Sequence, residues 1–193
     1  MFLITGIQAA GKSTVAQLLA ERLPRSVHVR GDAFRRMVVG GREEMTPEPS
    51  EEALRQLRLR HRLTVQVSET YAEAGFTVVA QDVILGGLLA ETVEMIRIRP
   101  LRVVVLAPRP EAVAAREAGR GKDAYGLWAI EQLDRVLRAE TPRIGLWLDT
   151  SDQTPAETVD AILAGTRGVA SPGGWEAHSS PSCSGGDGRT AGR

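Results

Sequence analysis

An α/β fold is predicted: a five-stranded parallel sheet covered by helices on both faces. Two observations carry the prediction. Short apolar, β-branched runs alternate with helix-patterned stretches along residues 1–165, the pattern of a sheet buried on both sides. Each run also ends in glycine, aspartate or proline, the residues that stop a strand and open a turn.

The first run, Met1 to Ile4, leads into Gly6-Ile7-Gln8-Ala9-Ala10-Gly11-Lys12-Ser13-Thr14, which fits G-x-x-x-x-G-K-[ST]. Val15, Ala16, Leu18, Leu19 and Leu23 then recur at helical spacing. The motif therefore sits between a buried strand and a helix N-terminus, where inward-pointing amides and the helix dipole form a nest for phosphate oxygens. In that setting Lys12 would reach the β- and γ-phosphates of ATP and the Ser13 hydroxyl would ligate Mg²⁺. The fold expected is a three-layer P-loop NTPase.

The remaining elements follow in order. Ser26 to Val29 is a short strand leading to Gly31-Asp32, and Ala33 to Val39 reads as a short helix that Asp32 could cap. Residues 40–49 form a Gly- and Pro-rich loop. Ser50, with Glu51 and Glu52 behind it, predicts the start of a long helix running to about Ala74 and closed by Gly75. Phe76 to Ala80 is a buried strand that delivers Gln81-Asp82, and Leu88 to Ile96 reads as helix. Leu101 to Leu106 is the next strand, stopped by Pro108. Helices are expected over 112–118 and 128–139, broken by Gly119-Arg120-Gly121. Ile144 to Asp149 is the last strand, and Thr154-Pro155-Ala156-Glu157 is a capping box that opens a helix ending at Gly165. Residues 166–193 are Gly-, Ser- and polar-rich and are expected to form a disordered tail.

Composition narrows the function classes. Twenty-four basic residues balance twenty-four acidic ones, with a pI near 6.9, so no global positive field exists to attract nucleic acid. The only lysines are Lys12 and Lys122, and the only cysteine is Cys183, which leaves neither a disulfide framework nor a cysteine metal site within one chain. No apolar stretch is long enough to span a bilayer, and no charged leader precedes the first strand. A cytoplasmic monomer or homodimer, with neither a membrane nor a nucleic-acid partner, is expected.

Four further residues are candidates for chemistry. Asp32, at the carboxyl end of the second strand, could orient and deprotonate an acceptor hydroxyl for phosphoryl transfer. Asp82 ends the third strand where a carboxylate can hold Mg²⁺ through water, or else serve its turn. Arg116 and Arg120, with Lys122, flank a Gly-rich break and suggest a lid near 116–126 that closes over the transferring phosphoryl group. Arg55, Arg58, Arg60, His61 and Arg62 are the strongest basic run; without interleaved aromatics they read as a solvated helix face with one or two arginines turned inward.

These motifs resemble those of the chloramphenicol phosphotransferase-like P-loop kinases, relatives by fold of shikimate and nucleotide kinases. The resemblance covers most of residues 1–165. It rests on the loop Gly6–Thr14, the Gly31-Asp32 pair, the segment Asp82-Val83-Ile84-Leu85-Gly86-Gly87, and Ala112-Val113-Ala114-Ala115-Arg116-Glu117 with Arg120 following. It implies transfer of the γ-phosphoryl group of ATP to a hydroxyl of a small molecule, such as an antibiotic or other natural product. Asp32 would then be the catalytic base, and Arg116 and Arg120 the lid arginines. Residues 40–62 depart from the pattern: they are highly charged where a nitroaromatic acceptor would need a greasier pocket. A nucleoside or nucleotide kinase, whose phosphate-bearing acceptor would suit the Arg-rich 55–62 helix, and a regulatory ATPase are the alternatives.

Overall fold

Strand β1, Phe2–Thr5, is buried along its whole length and forms the middle of a parallel sheet. The computed structural model describes residues 1–119 and 129–167. The other strands are β2 (Ser26–Arg30), β3 (Thr77–Gln81), β4 (Arg102–Leu106) and β5 (Leu146–Leu148), in the spatial order β2-β3-β1-β4-β5. In register, Leu3 lies opposite Ala80 on one side and Val103 on the other. All pairings are parallel, so helical crossovers cover both faces, and the central strands carry apolar runs such as Val78–Ala80 and Val103–Leu106. This is the three-layer α/β architecture the sequence predicts.

The helices are α1 (Lys12–Glu21), α2 (Gly31–Met37), α3 (Glu51–Glu73), α4 (Leu88–Met95), α5 (Pro110–Ala118), α6 (Ile130–Arg135) and α7 (Pro155–Arg167). A π-helical turn, Val136–Glu140, extends α6. Local chemistry accounts for the sharpest boundaries. Ser50 accepts the Ala53 N–H at 3.0 Å and so caps α3. Thr154 and Glu157 bond each other reciprocally ahead of α7. Pro110 takes the first position of α5, two residues earlier than the spacing predicts, because proline's fixed φ suits that turn.

Three boundaries differ in ways that matter. Helix α2 starts at Gly31, not Ala33, and its N-cap is Arg30, so Asp32 is inside the first turn and does not cap it. Strand β5 keeps only its three central residues, because Gly145 turns immediately before it. Helix α7 runs to Arg167, two residues past Gly165: Thr166 is buried and bonds back to the Ile162 carbonyl at 2.7 Å. Residues 168–193, most of the expected tail, lie outside the described residues, as do Arg120, Lys122 and Trp128.

The core gathers Leu3, Ile4, Ile7, Leu19, Ile84, Leu89 and Leu106, all fully buried. β1 separates β3 from β4, so crossovers leave it in opposite directions and open a crevice at the carboxyl ends of the strands. Among the described residues, no helix is long and apolar enough to cross a membrane.

Candidate active site

The loop leaving β1 has the shape its sequence demands. Gly6 takes φ 145°, and a Cβ there would lie 2.4 Å from the Leu106 carbonyl oxygen, so only glycine lets the loop pass under β4. Ala9 at φ 55° and Gly11 at φ 96° turn successive amides toward one hollow at the start of α1. Ile7, Ala9 and Ala10 are buried, so the loop is anchored by its side chains while its backbone lines the hollow. Lys12 is buried too, and its Nζ donates to the Ile7 carbonyl at 2.7 Å, which places the ammonium across the loop. Ser13 and Thr14 are exposed on the first turn of α1.

Beside this loop the 82–87 segment is fixed by one side chain. The Thr5 hydroxyl, ending β1, donates to the Ile84 carbonyl and accepts the Ile84 N–H, both at 2.9 Å. Buried Ile84 thus points into the core and half-buried Val83 and Leu85, on either side, line the adjacent cavity.

Asp32 sits on the wall of that cavity, as does Gln8 of the loop. Its Oδ2 accepts from Arg36 at 2.8 Å and Arg30 at 3.5 Å, while its buried Oδ1 has no hydrogen-bond partner. One oxygen is held by two cations and the other has no partner.

Asp82 is buried at the end of β3. Its Oδ1 accepts from Arg60 of α3 at 2.8 Å and from the Val83 N–H at 2.7 Å, and its buried Oδ2 is unpartnered. Arg60 is the inward-turned member of the basic run. Its neighbours are committed elsewhere: Arg55 pairs with Glu51 and Glu52, and Arg58 with Glu91. His61, the next residue on α3, is fully buried, and burial lowers its pKa from 6.5.

Arg116 lies in the last turn of α5, half-buried. It donates to the Ala10 carbonyl at 3.4 Å and to the carbonyls of Thr150 and Ser151 beyond β5. In this conformation it ties the phosphate loop to the β5 exit loop. Residues 120–126 of the expected lid, including Arg120, lie outside the described residues.

The cavity measures about 650 Å³ and lies between α2, α3, the 82–88 segment and the α6 extension. The charged 40–62 sequence suggests a polar pocket, but most of the lining is apolar: Phe34, Val38, Met45, Leu57, Leu63, Val83, Leu85 and Val136 are among the walls. The charges are drawn off into pairs such as Arg35–Glu44 and Arg42–Glu44. Ala53, Leu57, Arg60 and Leu63 recur at helical spacing on α3, so this stripe was legible in the sequence, although the arginines around it read as a solvated face.

The model of a family described as AAA domain matches residues 1–142. No curated protein matches the chain. Among solved structures, a sugar kinase from Janibacter sp. HTCC2649 aligns with TM-score 0.64 and 17% identity, over 85% of this chain and 92% of that one. An APS kinase of Mycobacterium tuberculosis, solved with AMPPNP and APS, aligns with TM-score 0.61 and 17% identity, over 84% and 95%. A tunicamycin resistance protein of Deinococcus radiodurans aligns with TM-score 0.58 and 20% identity, over 84% and 93%. The fold is that of P-loop kinases.

Proposed function

The chain belongs to the AAA domain family, and from that premise we propose that it is an ATP-dependent phosphotransferase acting on a hydroxyl of a small molecule. The observation that carries this reading is one cavity of about 650 Å³ bounded by both the phosphate loop, through Gln8, and the carboxylate of Asp32. A nucleotide-dependent switch has no need of a second, acceptor-sized chamber at its phosphate end.

The division of labour follows from the geometry. The amides of residues 6–14 and the start of α1 hold the phosphates, and Lys12 moves from the Ile7 carbonyl to the β- and γ-phosphate oxygens. Asp32 orients the acceptor hydroxyl through Oδ1 and takes its proton as the new O–P bond forms and the bond to the ADP leaving oxygen breaks. Arg30 and Arg36 hold the other oxygen, so the carboxylate cannot rotate away. Ser13 and Asp82 are the residues that would hold Mg²⁺, the one through a hydroxyl exposed at the helix start and the other through a carboxylate oxygen with no hydrogen-bond partner. When bound, the ion would neutralise charge on the phosphates. Arg116, already against Ala10, would steady the loop, with Arg120 closing from the segment beyond it.

The narrower kinship with chloramphenicol phosphotransferase-like kinases belongs to the same reading, and the apolar walls remove the objection raised by the charged 40–62 sequence. The nucleotide-kinase alternative loses its main support, since Arg55, Arg58 and Arg60 are all paired with carboxylates.

Mass spectrometry after incubation with Mg-ATP and a panel of hydroxylated antibiotics, nucleosides, nucleoside monophosphates and sugars tests the proposal. A panel member that gains a phosphoryl group, dependent on Lys12, supports it. Steady ATP hydrolysis with no acceptor modified counts against it.

A further inference from the structure

Building on that reading, we propose that the acceptor is a hydroxyl compound with a bulky apolar body and no phosphate or carboxylate of its own. Three observations converge on it. First, the deep walls are aliphatic and aromatic: Leu57 and Leu63 from α3, Val83 and Leu85 from the β3 exit, Val136 from the α6 extension and Phe34 from α2. These side chains are only half-buried, so apolar surface is held open to water and is covered when an apolar body enters.

Second, both cations on the lining are already engaged. Arg60 is paired with Asp82 at 2.8 Å and Arg35 with Glu44. Beyond those pairs the lining carries two more carboxylates, Asp32 and Glu43. An acceptor bringing its own anion would meet like charge or have to break a pair whose Asp82 side chain is 2% exposed. A sugar, being polar all round, would leave its hydroxyls facing hydrocarbon.

Third, apolar surface continues at the rim. Leu59 lines the cavity while 41% exposed, and Met37 and Val39, on either side of the cavity residue Val38, are 69% and 96% exposed. Large apolar side chains left in water beside a cavity mark a recognition surface. An apolar body longer than the chamber would continue across them.

Binding and transfer are measured separately. The probes are 3-(2-naphthyl)propan-1-ol, its 2-carboxylate derivative, glucose and adenosine 5′-monophosphate. Affinities come from naphthyl fluorescence or calorimetry in the presence of AMPPNP. The neutral naphthyl alcohol should bind at least about tenfold more tightly than the other three, a gap of roughly 1.4 kcal/mol. Leu59→Lys should weaken it several-fold and leave AMPPNP affinity unchanged. Equal or tighter binding of the carboxylate, glucose or the monophosphate overturns the proposal, as does naphthyl binding that Leu59→Lys does not alter. Phosphoryl transfer is then followed with the same compounds. Tight naphthyl binding with ATP hydrolysed and no product formed would sustain this acceptor class while refuting the kinase reading. Transfer to glucose or the monophosphate in preference to the naphthyl alcohol would do the reverse.

Discussion

A Cβ on Gly31 would lie 2.1 Å from the Oδ2 of Asp82, so the first residue of α2 and the last carboxylate of the β3 exit touch without room for a methyl group. The contact locks the junction carrying Asp32 to the one carrying Asp82. Gly31→Ala is therefore expected to push the Asp82 carboxylate off Arg60, costing about 1–3 kcal/mol as an overpacked site. Denaturant unfolding checks this, and a loss below 0.5 kcal/mol (about the scatter for surface changes) would show the junction can relax.

Lys12→Ala removes the only lysine in the phosphate loop. Transfer should fall by at least about 10²-fold, the scale for losing one charge-stabilising donor. Turnover assays with saturating Mg-ATP test it. Activity within a few-fold of the parent would refute the phosphate-site assignment.

Asp32→Asn keeps the size of the side chain and its place beside Arg36 but removes the base. AMPPNP should still bind, while transfer should drop by about 10²–10⁴-fold. A rate within a few-fold of the parent would leave Asp32 a purely structural partner of Arg30 and Arg36.

Arg60→Ala strands the Asp82 carboxylate in a buried position, with the arginine side chain 13% and the aspartate side chain 2% exposed. Removing one partner of such a pair costs about 3–5 kcal/mol. Thermal and chemical unfolding should both report it. A change under 1 kcal/mol would place water, rather than Arg60, as the true partner of Asp82.

Stability should also fall in mild acid. His61 is buried and its pKa lies below 6.5, chiefly through loss of solvent, and half-buried His28 is shifted the same way. The unfolded chain thus binds protons that the folded one refuses. Stability is full above about pH 6.5 and declines as pH drops below it toward the folded-state values. Unfolding at pH 7.5 and 5.5 should show the decline, and His61→Gln should reduce it. An identical slope in the variant would assign the effect to other groups.

Much of the fold is legible in the chain because its signals are local. Strand runs such as Val78–Ala80, the Ser50 cap and the Thr154–Glu157 box each act within a few residues, and the structure reproduces them. The misreadings lie where distant residues decide. Asp32 could cap a helix starting at Ala33 because aspartate is good at capping, yet the chain turns helical two residues earlier, at Gly31, which fits only because it lacks a Cβ beside Asp82.

By itself, then, the sequence determined the parallel α/β sheet, the phosphate loop and its lysine, because an apolar run, the glycines and lysine that follow it and a helix-patterned stretch stand next to one another in the chain. Tertiary structure alone decided the character of the acceptor cavity. Its walls come from α2, α3, the β3 exit and the α6 extension, segments up to about a hundred residues apart. Whether an arginine on one of them faces water or a buried carboxylate depends on its partner across the fold, as with Arg60 and Asp82. That partner is set by packing, which no single segment encodes.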